Sequence, residues 1–69
     1  MTVKAISHSY WRSIKGGNRT FESVANSPRP AIYERAEEIK YLARCDVVDG
    51  LITAEEYLQY IGEEYIEAI

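Results

Sequence analysis

"DGLITAEEY", residues Asp49 to Tyr57, decides how this chain folds, because it fits two architectures: the back half of a calcium loop, or a tight corner between two helices. An EF-hand loop of ~12 residues needs oxygen-bearing side chains at its first, third and fifth places, glycine at its sixth and a bidentate Glu at its last. Setting Gly50 on the invariant glycine puts Asp49 fifth, Ile52 eighth and Glu56 last, and all three fit. It also puts Cys45 first and Val47 third, and neither offers an oxygen. Two carboxylates are too few to replace the hydration of a hard cation, and sliding the register to use Asp46 loses the glycine.

The corner accounts for every residue. Gly50 stands where a helix closes in the left-handed conformation, and Leu51 offers the apolar contact that follows such a cap. Thr53 is placed to N-cap the next helix, with Glu56 completing a capping box and Ile52 and Tyr57 at the two places of a hydrophobic staple. The stretch therefore predicts a positive φ at Gly50, a hydroxyl cap from Thr53, and two helices meeting at a steep or antiparallel angle.

Upstream of the corner, Ile32, Ala36, Ile39, Ala43 and Val47 recur at helical spacing with Leu42 beside them. They predict a helix over 30–48, with Pro30 in an opening position. Its outer face is read as Glu34, Glu37, Glu38, Lys40 and Arg44, acids early and bases late, as the helix dipole favours. Downstream, Ala54, Tyr57, Leu58 and Ile61 predict a helix over 53–61 that Gly62 ends, leaving 62–69 as a looser tail or a separate turn. At the other end of the chain, Val3, Ile6, Tyr10 and Ile14, with Trp11 beside them, predict a helix over 3–15 closed by Gly16 and Gly17. The connection over 16–30 is rich in Gly, Asn, Ser and Pro, with Thr20 capping a short turn that carries Phe21 and Val24 inward. The expected fold is a single all-α domain over 1–69, a small three-helix bundle.

With 69 residues, 46% of them hydrophobic and 28% charged, the chain is globular, with a small core and marginal stability. A single cysteine, Cys45, forbids an internal disulfide, and a single histidine, His8, leaves no Cys/His zinc cluster. A partner is the remaining external support for so small a core. No stretch approaches the ~20 apolar residues of a membrane span. The sequence thus predicts a protein with no membrane association, no metal and no cofactor, placed in the cytoplasm or in a particle assembled there. Residues 1–29 hold five basic residues against one acid, and residues 30–69 hold three against ten, so the halves carry +4 and −7. Opposite halves of this kind are read either as solvated faces that merely differ in sign or as favouring packing within the monomer or head-to-tail contact between copies.

These residues resemble the small XkdX-like proteins encoded in the tail modules of phages and defective prophages. Trp11, Ile14 and Lys15 form the W-x-x-I-K element, and Thr20 and Val24 the capped turn that follows. Val47, Gly50, Ile52, Thr53, Glu56 and Tyr57 match the next element, and Gly62 and Tyr65 the closing G-x-x-Y. The resemblance spans residues 10–24 and 46–65. It implies a phage-related setting and no particular reaction.

No catalytic constellation is visible: His8 has no nucleophile in a recognisable motif, and the pair Gly16-Gly17 lacks the spacing and the Lys-Ser/Thr of a phosphate loop. Cys45, beside the core stripe, is read as a small buried apolar group. Nucleic-acid binding through a helix-turn-helix draws on Lys4, Arg12, Lys15 and Arg19 with Tyr10 and Trp11, but an acidic chain with an acidic last helix weighs against it. An acidic inhibitor of a host factor is a further alternative, drawn from the acids of 55–67. Six Tyr and one Trp exceed what so small a core can hold. Tyr10, Trp11, Tyr33, Tyr41 and Tyr60 are therefore the candidate interaction surface, since Tyr and Trp serve as contact anchors. The expected function is a non-catalytic interaction or structural module that binds a protein partner or itself.

Overall fold

The computed structural model describes residues 3–66. Its helices are α1 (Ala5–Lys15), α2 (Phe21–Ala25), α3 (Pro30–Tyr33), α4 (Ala36–Val48) and α5 (Ala54–Ile61), with no strand among the described residues. The fold is the expected small all-α bundle, built on its three longer helices, α1, α4 and α5.

Two hydrogen-bonded clusters fix the direction of α1 against α4. The start of α1 meets the start of α4, where Ser7 Oγ donates to Glu38 Oε1 at 2.6 Å and the Lys4 backbone N–H to the same oxygen at 3.2 Å. The end of α1 meets the end of α4, where Trp11 Nε1 and Lys15 Nζ both donate to Asp46 Oδ2 at 2.9 Å. The two helices therefore run parallel. Parallel neighbours cannot be joined by a tight turn, and the chain returns through residues 16–35, which carry α2 and α3. Helix α5 runs back along α4, because Ile52 N–H reaches Asp46 O near the end of α4 while Glu63 pairs with Lys40 near its start, at 2.9 Å.

The corner forms as the sequence requires. Gly50 has φ +75°, a region costly for any residue with a Cβ. Its N–H donates to Val47 O at 3.1 Å and that of Leu51 to Asp46 O at 2.8 Å, the paired bonds of a Schellman cap. Thr53 Oγ1 accepts from Glu56 N–H at 3.1 Å, and Glu56 Oε1 accepts from Thr53 N–H at 2.9 Å, closing the capping box. Ile52 and Tyr57 are both buried in the core. Leu51 is not the apolar contact expected of it. It is 69% exposed, and Ile52 does that packing from the next position.

Three further expectations are corrected. The helix expected over 30–48 is broken: Arg35 N–H bonds to Ile32 O in a tight three-residue step, separating α3 from α4. The break lets α3 lie against α2 while α4 follows α1, and it turns Arg35 inward, where 8% of its surface stays exposed. The buried face of α1 is Ser7, Trp11 and Ile14, not Val3, Ile6, Tyr10 and Ile14. Trp11 sets that rotation: its large ring gains most from burial and its N–H finds a carboxylate on α4, while Ile6 is left half exposed. On α5, Tyr57 and Ile61 enter the core, whereas Ala54 and Leu58 face out.

Trp11, Ile14, Phe21, Val24, Ile39, Ala43, Ile52, Tyr57 and Ile61 form one core. Thr20 caps α2 through its hydroxyl and delivers Phe21 and Val24 to it. Gly62, with φ +84°, ends α5, and Tyr65 then packs edge-on against Tyr57 with ring centroids 5.3 Å apart. The remainder of the expected tail, residues 67–69, lies outside the described residues.

Candidate interaction surface at the α4–α5 corner

The five aromatic residues singled out by the sequence do not form one surface. Trp11 is corrected to a core residue, 4% exposed, with Tyr60 edge-on to it at 5.6 Å and the Lys15 ammonium 5.1 Å from its ring centroid. Tyr60 is half-buried by that contact. Tyr10 lies on α1 beneath the Arg19 guanidinium, 4.4 Å from the ring centroid, a cation–π geometry. Tyr33 is exposed on α3. Tyr41 stands on α4 in a groove of about 250 Å³ that it lines with Arg44, Cys45, Val48, Asp49 and Tyr65.

That groove continues past Tyr65. A second hollow of about 200 Å³ is lined by Ala54, Glu55, Leu58, Glu64 and Tyr65, so the Tyr65 ring walls both. Of the lining residues, Val48 is 74% and Leu58 48% exposed; Leu51 in the corner turn is 69% exposed and Ile66, next to Tyr65 in the chain, 76%. The corner Gly50, Ile52, Thr53, Glu56 and Tyr57 positions this surface: Ile52 and Tyr57 anchor it to the core, and the Schellman turn throws Val48 and Leu51 outward. Cys45 is corrected from a buried group to a half-buried one on the groove lining. The neighbouring Cys45 thiol holds the Tyr41 phenol above its ordinary pKa.

Sequence patterning does not single out Val48 and Tyr65 as groove-lining residues, because solvent-facing positions carry no periodicity of their own. It also placed Glu38 on the outer face of its helix. Glu38 faces α1, where the Ser7 hydroxyl, then the Lys4 N–H, and then the Arg35 guanidinium at 3.6 Å hold its carboxyl below the ordinary value of 4.5. Lys40 is held above its ordinary range mainly by its bond to Glu63. Arg35 itself lies between Glu34 and Glu38, and its Nε has no hydrogen-bond partner among the described residues.

A depressed folded pKa at Glu38 has a definite consequence for stability. The unfolded chain takes up the proton first as pH falls, so the contribution is full above the ordinary pKa and is lost as pH drops through the lower folded value. Ser7→Ala removes the largest cause. The melting-temperature gap between the parent chain and Ser7→Ala should be widest at neutral pH and narrow as pH falls through and below the ordinary carboxylate range. A gap that does not change with pH would contradict this assignment.

No group of three His, Cys, Asp or Glu side chains is placed to hold a metal among the described residues. Nor is any described helix long and apolar enough to cross a membrane. Asp46, a ligand in the displaced calcium register, spends its carboxylate on Trp11 and Lys15. Comparison of the chain with protein-family models, curated proteins and solved structures gave no match.

Proposed function

We propose that this chain is a non-catalytic protein-interaction module from a phage or prophage tail-assembly setting, and that the α4–α5 corner is its contact surface. The carrying observation is the pair of exposed large apolar side chains, Val48 and Leu58, that line the two hollows Tyr65 shares, with Leu51 exposed in the corner turn and Ile66 exposed next to Tyr65 in the chain. A domain this small gains little from its own core, so large apolar side chains left facing water beside these hollows support a partner that covers them. The groove also offers the aromatic anchors that contact surfaces favour, Tyr41 and Tyr65, on two different elements. The phage setting draws on the resemblance in residues 10–24 and 46–65.

A photo-crosslinking side chain at position 58, introduced in the producing cell, should give discrete protein adducts, while the same group at the exposed position 22 on α2 should give none. Adducts at neither position, or equally at both, would overturn the proposal. Binding to duplex DNA with a steep salt dependence would favour the nucleic-acid alternative, for which Arg12 and the Arg19–Tyr10 pair are the exposed groups.

A further inference from the structure

Resting on that interaction function, we infer that the occupant of the corner surface is a second copy of this chain, docked head to tail through the exposed face of α1. The charges left unpaired within the monomer point to it. Of the basic residues in the first half, Lys15 is paired, to Asp46, whereas Lys4, Arg12, Arg19 and Arg29 have no carboxylate within 4.0 Å among the described residues. In the second half, Asp49, Glu55 and Glu64 likewise have no cation within that distance among the described residues, and these three line the corner hollows.

Each set of free charges lies beside apolar surface. On α1, Arg12 is exposed and Ile6 is half exposed, and Arg19, in the loop after α1, covers the Tyr10 ring on the other flank of the helix from Arg12. At the corner, the three carboxylates stand around Val48, Leu58 and Tyr65, with Arg44 as the cation among the lining residues. No α1 residue lines either hollow, so one copy presents both faces at once. Contact between unlike faces is heterologous: docking one copy leaves a free face at each end, and the assembly grows beyond a dimer. Complementary charge sets the pairing and its sensitivity to salt, while the apolar contacts exclude water.

Sedimentation equilibrium tests this with the protein alone. Two variants disable one face each: Asp49→Lys with Glu64→Lys at the corner, and Arg12→Gln on α1 with Arg19→Gln in the loop that follows it, the second neutralised rather than reversed so that the two disabled faces do not complement each other. All four positions are exposed, and the two lysines fall at helix C-terminal ends, where the dipole tolerates them. The parent chain should gain mass beyond a dimer as concentration rises towards about 1 mM, less so in high salt. Each variant should associate at least about tenfold more weakly. An equimolar mixture of the two should form a complex of one copy of each that does not grow, which also shows that both variants are folded. A parent chain that stays monomeric, one that stops at a dimer, or a mixture that stays unassociated would overturn the inference. A monomeric parent that still gives discrete adducts with another protein from position 58 would leave the interaction function standing, whereas loss of both would remove it as well.

Discussion

Trp11→Ala should unfold most of the population at moderate temperature. Removing a buried Trp costs ~3–5 kcal/mol, and a domain of this length has roughly 3–10 kcal/mol to lose. Trp11 is 4% exposed, touches Tyr60 edge-on, and is the residue through which α1 reaches both α4 and α5. Trp11→Phe keeps most of the apolar volume and loses the N–H bond to Asp46, so it should fall between the parent and Trp11→Ala, at ~1–3 kcal/mol. Urea denaturation followed by far-ultraviolet circular dichroism measures both. A loss of less than ~1 kcal/mol for Trp11→Ala would show that the ring is not the keystone of the α1–α4–α5 junction.

The parts of the fold legible in the sequence are those governed by local chemistry. Gly50, Thr53 and Glu56 specify their turn through backbone bonds that span a few residues, and those bonds are present. Thr20 works in the same way at α2. Misplaced features depend on what lies across the chain. Ile6 and Tyr10 fit an apolar stripe as well as Trp11 does, and the acceptor on α4 selects Trp11. Ser7 is wholly buried although polar, because Glu38 of another helix accepts a hydrogen bond from its hydroxyl. Arg35 is buried and breaks a stripe that spacing alone runs unbroken from Ile32 to Val47. A faint signal did exist. Asp46 sits near the C-terminal end of its helix, where the dipole disfavours a carboxylate, and a residue set against its local preference points to a tertiary role. The corner is half legible: local caps fix its turn, but the solvent exposure of Val48 and Leu58 and the groove beside Tyr65 depend on which face of α4 and α5 the core takes.

Asp46→Ala should cost ~2–3 kcal/mol, and the loss should come mainly from Trp11 rather than from the salt bridge. The Lys15 side chain is 35% exposed, and a pair so open to solvent contributes ~0–1 kcal/mol. The Trp11 N–H is enclosed, and leaving a buried donor without an acceptor costs ~1–3 kcal/mol. Removing a carboxylate near the end of α4 returns a few tenths of a kcal/mol through the dipole, too little to offset that loss. Three measurements separate the contributions. Asp46→Asn retains an acceptor for the indole and discards the charge, so it should cost less than ~1 kcal/mol. High salt screens the Lys15 pair and leaves the indole bond, so most of the Asp46→Ala penalty should survive at about 1 M NaCl. In a Trp11→Phe background there is no N–H to strand, and Asp46→Ala should then cost at least ~1 kcal/mol less than in the parent chain. Equal losses for Asp46→Ala and Asp46→Asn, or an undiminished loss in the Trp11→Phe background, would show that the charge holds α1 to α4 and that the indole bond is incidental.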